Sequence, residues 1–84
     1  MKVRIYAFDS ETGEPIAFAR VEIWKDNQLI AYGSTDANGY DTLDIPEPGE
    51  YIIVLKSQLW KPVRERVRIT SEGTIKISSF KAAV

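Results

Sequence analysis

Histidine is absent from the 84-residue sequence, and so is cysteine. Without cysteine, neither disulfides nor thiolate metal sites brace the core, and thiols say nothing about redox compartment. Without histidine, the side chain that most often serves as general base near neutral pH, and the commonest transition-metal ligand, are missing. No apolar run approaches the ~20 residues of a membrane-spanning helix, so no membrane insertion is expected. Met1 leads straight into the alternating KVRIYAF. That is not a charged start followed by a continuous apolar stretch and a cleavage site, and no signal peptide is expected. Localisation stays open on these grounds: a piece of a larger secreted or surface protein would read the same way.

What is present is the composition of an ordinary globular domain, 44% hydrophobic and 27% charged. A chain of this length buries roughly 60 to 65% of its unfolded surface, enough for one thin core, and a single domain over residues 1–84 is expected. The net charge of −1 conceals a segregation. Residues 1–55 hold four basic against ten acidic side chains, a balance of −6, and the remainder seven against two, a balance of +5. Opposite charges on neighbouring strands, or a charged binding face, both account for that pattern.

A period of two runs through the chain, and no segment of useful length has the helical period. Val3, Ile5 and Ala7 share one face of VRIYAF, and Ala19, Val21 and Ile23 share one face of ARVEIW. QLIAYGS follows the turn-tolerant pair Asp26-Asn27, which predicts a hairpin. TLDI, YIIVLK, VRERVRI and TIKISSF complete about seven short strands, with PEPG and SEG as turns. This is the pattern of an all-β, antiparallel Greek-key sandwich.

The stretch GSTDANGYDTL (33–43) concentrates glycine, threonine, aspartate and asparagine. Ser34, Asp36 and Asn38 followed by Gly39 imitate the start of a helical calcium loop, but Ile45 stands where its bidentate glutamate belongs. A phosphate cradle requires lysine and then serine or threonine after its second glycine, and Tyr40 follows Gly39. A turn remains: Asp36 and Asn38 bond back to the backbone, and Gly39 supplies a positive φ. No metal and no cofactor is expected.

The order of TGEPI, ARVEI, TDANG and PGEY, from about Val3 to Ile77, resembles the carboxypeptidase regulatory-like domain, one of the transthyretin-like (prealbumin-like) sandwiches. The resemblance implies that Thr12–Ile16, with Gly13, form the loop after the first strand and that Ala19 and Val21 point inward. It also implies that Gly49 and Tyr51 form a turn followed by a buried tyrosine whose hydroxyl needs a partner. Asp41 departs from the pattern, standing where an apolar residue is usual, and is expected at the mouth of the core. Some transthyretin-like proteins are hydrolases of a purine-pathway intermediate, using histidines and a C-terminal motif that this chain lacks. Surface-protein relatives form a Lys–Asn isopeptide bond, whereas Asn27 and Asn38 both read as turn residues here. The serines have no activating base and no GxSxG elbow, so the expectation is that the chain is not an enzyme.

The inward parity leaves Trp24, Ile52 and Val54 facing out, joined by Ile30 or Tyr32 according to the hairpin's register. In the transthyretin-like arrangement the second, third, fifth and sixth strands share a sheet, which sets these residues beside Arg64, Arg66 and Arg68. Apolar and aromatic residues among arginines are a composition enriched at protein interfaces. The opposing expectation is that the SQLWKP segment (57–62) covers them. The reading is therefore an accessory or structural module, a rigid spacer or a mediator of protein interaction or self-association through an outer sheet face. A carbohydrate-binding module stacking sugars on Trp24 and Tyr32, or an engineered sandwich without native ligand, are the alternatives. Nucleic acid is disfavoured by a pI near 5.4, despite Trp60 as a stacking candidate.

Overall fold

The computed structural model describes residues Met1–Ala82; residues 83–84 of the expected domain lie outside the described residues. Seven strands form: β1 (Lys2–Asp9), β2 (Arg20–Lys25), β3 (Gln28–Ser34), β4 (Tyr40–Asp44), β5 (Gly49–Lys56), β6 (Val63–Ile69) and β7 (Gly73–Ser79). They build an all-β sandwich of two sheets, ordered β4-β1-β7 and β3-β2-β5-β6. Alternation decides which side chains enter: Val3, Ile5 and Ala7 from β1, Val21 and Ile23 from β2, Tyr51, Ile53 and Leu55 from β5, and Ile77 from β7 are all buried.

Every pairing is antiparallel except that of β1 with β7, which runs parallel from Val3↔Gly73 to Asp9↔Ser79. Parallel neighbours cannot be joined by a tight turn, and here the whole intervening chain makes the crossover. Side-chain alternation is blind to strand direction, so this pairing has no signature in the sequence.

Asp26 and Asn27 close the β2–β3 hairpin with φ of 50° and 63°, between the paired Lys25 and Gln28. Two left-handed residues give a two-residue loop the twist that matches its flanking strands. An irregularity between Ile23 and Trp24 then places Ala31 opposite Ile23 and Leu29 opposite Trp24. Ile30 thereby packs against the core, and of the two expected alternatives Tyr32 remains outside, with Leu29 also exposed.

Two loops carry core residues that strand patterning misses. Ile16, between β1 and β2, is fully buried. Trp60, between β5 and β6, is buried with its indole Nε1–H donating to Asp9 Oδ2 at 2.8 Å. The SQLWKP segment therefore folds over the end of β1 and β7, where Lys61 N–H donates to the Phe80 carbonyl and Ser79 Oγ–H to the Lys61 carbonyl. It does not cover the outer face of the four-stranded sheet, and a buried Trp60 offers no stacking platform.

Candidate interaction face and the turns that frame it

Cross-strand register assembles the outer face of the four-stranded sheet. Tyr32 lies opposite Glu22, Glu22 opposite Val54, and Val54 opposite Arg64. In the adjacent row Trp24 lies opposite Ile52, and Ile52 opposite Arg66. Trp24, Ile52, Val54, Arg64 and Arg66 are thus brought together, lining an open concavity of about 700 Å³ bounded by Lys25, Glu50 and Lys56. Trp24, Ile52 and Val54 are half-buried and form its apolar floor.

Two residues of the expected face lie at its margins. Arg68 is opposite Glu50 and pairs with it at 3.6 Å, both side chains being well exposed. Tyr32 is 62% exposed on the edge strand, with the Arg20 guanidinium 4.7 Å from its ring centre. One face of that ring is already occupied, which reduces its use as a sugar platform. Arg64 and Arg66 have no carboxylate in salt-bridge range among the described residues.

The residue that sequence reasoning missed is Glu22. It points outward in the middle of the sheet, yet its side chain is only 8% exposed. Arg20 Nε–H donates to Oε2 at 2.6 Å and Trp24 Nε1–H to Oε1 at 2.9 Å, with Lys56 Nζ at 3.6 Å from Oε2. The Arg20 bond, then the Trp24 bond, hold the carboxyl below the ordinary glutamate range against the opposing effect of burial. Glu22 thereby fixes both the indole and the guanidinium. The available signal was Arg20 and Trp24 two residues to either side, which share Glu22's face of a strand.

The turn residues are placed by backbone hydrogen bonds. Asp36 Oδ1 accepts from the N–H of Asn38 at 2.8 Å and of Tyr40 at 3.0 Å, which lowers its pKa, the Tyr40 bond contributing most. Gly39 has φ of 86°, and a side chain there would collide with the Ala7 carbonyl, while the Ala7 N–H donates to the Gly39 carbonyl at 2.8 Å. Gly13 has φ of 79° in a turn closed on Asp9, whose Oδ1 accepts from the N–H groups of Glu11 and Thr12. The Trp60 indole contributes most to keeping Asp9 ionised. Tyr51 follows Gly49, its ring buried and its hydroxyl donating to the Glu47 carbonyl four residues upstream. Asp41 is half-buried on β4, and its Oδ2 is enclosed without a partner.

Three solved structures place this architecture. Klebsiella pneumoniae 5-hydroxyisourate hydrolase matches with a TM-score of 0.67 at 13% identity over 98% of each chain. A minor pilin of Streptococcus agalactiae matches with a TM-score of 0.69 at 14% identity, over 99% of this chain and 45% of the pilin. A 9R-lipoxygenase from Cyanothece matches with a TM-score of 0.55 at 15% identity, over 92% of this chain and 15% of that one. No family model matches the chain, and no curated protein does.

The expectation that the chain is not an enzyme is corrected here. A hydrolase shares the fold along almost its whole length, so the sandwich itself is compatible with catalysis. The absence of histidine, of an activating base for the serines and of a GxSxG elbow was too narrow a ground for exclusion, because function lives in sites grafted on folds rather than in a few familiar motifs. At these identities the likeness carries the fold alone, and that fold is transthyretin-like and all-β.

Proposed function

We propose that the chain is an accessory or structural interaction module, one sandwich unit over residues 1–84, that docks a protein partner through the outer face of the four-stranded sheet. The observation that carries this reading is the apolar floor of Trp24, Ile52 and Val54 flanked by two guanidiniums, Arg64 and Arg66, that have no carboxylate partner among the described residues. Burial at the floor supplies affinity, while the arginines select a partner that carries carboxylates beside an apolar side chain. The Glu22 bonds to Arg20 and Trp24 support the same reading, since side chains fixed in advance lose less entropy on binding.

The likeness to part of a minor pilin supports a structural module. The order of TGEPI, ARVEI, TDANG and PGEY supports the carboxypeptidase regulatory-like kind among transthyretin-like sandwiches. Substituting Trp24→Ser and Ile52→Thr tests the docking face. Association measured by light scattering, and capture of a partner by immobilised protein, are both expected to fall, with thermal unfolding little changed. Association and capture that survive both substitutions would remove the reading.

A further inference from the structure

Phe18 differs from the other exposed apolar residues. It is 78% exposed, and its φ is 57°, in the left-handed region. A bulky L-residue is rarely found there and stays only where its surroundings over-determine it. Thr35, itself buried, supplies that determination. The Phe18 N–H donates to the Thr35 carbonyl at 3.0 Å, and the Ala19 N–H to Thr35 Oγ1 at 2.9 Å. The Thr35 N–H donates in turn to the Ala19 carbonyl at 2.8 Å, and its hydroxyl to the Ile16 carbonyl at 2.7 Å. The aromatic is therefore carried on a backbone that cannot relax without breaking this set.

The same loop carries Glu11 and Glu14, and no basic residue stands between Asp9 and Arg20. Glu14 is paired with Lys81 at 3.2 Å, so Glu11 is the exposed carboxylate of this loop with no salt-bridge partner among the described residues. The loop presents an aromatic knob and one free carboxylate. The concavity on the outer sheet face has the complementary character, an apolar floor beside Arg64 and Arg66, which have no carboxylate partner among the described residues. We propose that the partner of this concavity is the Phe18 loop of a second copy of the chain, joined head to tail. This rests on the docking-face reading and supplies its occupant. Phe18 seats on Trp24, Ile52 and Val54, and Glu11 meets Arg64 and Arg66.

Knob and concavity are different parts of one molecule, so the contact is heterologous and each added copy leaves one of each free. A single aromatic anchor with a charged rim makes a small interface, and association is expected at about 0.1 mM and above. Salt weakens it by screening the rim charges.

Sedimentation equilibrium over a concentration series tests the proposal. The wild-type mass is expected to climb past that of a dimer at low salt and to fall back at high salt. Phe18→Gly is expected to remain monomeric while melting no lower than wild type, because glycine adopts the same φ without strain. The double variant Arg64→Glu, Arg66→Glu is expected to be monomeric as well. Mixed together, the two variants form a heterodimer and nothing larger, because one retains the concavity and the other the knob. A wild-type chain monomeric at all concentrations, continued association of Phe18→Gly, or the absence of the mixed dimer overturns the proposal. If the wild-type chain is monomeric and Trp24→Ser still abolishes capture of another protein, the docking face stands and only its assigned occupant fails.

Discussion

Asp41 and Gly33 form a pair on opposite sheets. A side chain at Gly33 would run into the Asp41 carboxylate and crowd Leu43. The glycine thus makes room for a charge that lies enclosed without a hydrogen-bond partner at Oδ2. Burial raises the Asp41 pKa, so the folded state favours the neutral form. Relative to an Asp41→Asn variant, wild type is at its best below the unfolded value near 3.9 and loses ground as pH rises through the folded value. Asp41→Val is expected to stabilise the fold by about 1 kcal/mol at neutral pH, read from urea unfolding. Gly33→Ala should destabilise, and less so when Asp41 is also alanine, which a double-mutant cycle resolves. Phe18→Gly is expected to stabilise by a few tenths to about 1 kcal/mol, since it removes left-handed strain and little buried area. Asp41 was legible as an anomaly because strand parity aims it inward. The conformation of Phe18 was not, because Thr35, seventeen residues on, imposes it.

At the level of strands and turns, the β2–β3 hairpin is held by Asp26 and Asn27, both left-handed. Replacing Asn27 with glycine supplies the dipeptide end that such turns favour, and a gain of about 0.5 kcal/mol is expected in chemical denaturation. Strand β6 shows how an edge is kept solitary. Glu65 has inward parity but remains exposed, and Arg64, Arg66 and Arg68 alternate with it. An inward charge on an edge strand deters another strand from pairing there. Strand positions were readable from alternation, down to the seven residues of β3 and of β6. The membership of each sheet followed from the family resemblance. The parallel run of β7 beside β1 was not readable, and neither was the fate of Trp60, whose placement depends on Asp9 fifty-one residues away. Glu22 shares the outward parity of Arg20 and Trp24, and nothing in a period of two distinguishes a solvated glutamate from one bonded to its neighbours.

Over the molecule as a whole, β1 pairs on one side with a strand some forty residues distant and on the other with one some seventy distant. Such non-local closure is slow, and folding in milliseconds to seconds is expected in stopped-flow fluorescence of Trp24 and Trp60. Three carboxyls, Asp9, Glu22 and Asp36, are held below their ordinary range, against Asp41 alone raised. Lowered groups contribute stability above their unfolded pKa values, near 4, and forfeit it as pH falls through the folded ones. Net stability is therefore expected to decline below about pH 4, with Glu22→Gln giving a shallower decline in a series of thermal melts.

The β1–β7 ladder also determines how the molecule bears a load. Its two strands run the same way, so tension applied at Lys2 and at Phe80 draws them past one another lengthwise. Their evenly spaced bonds must then yield together instead of unzipping one by one. Pulled along that line, the sandwich is a tether that resists stretching, whereas the β2–β3 hairpin pulled open from its own ends would peel apart.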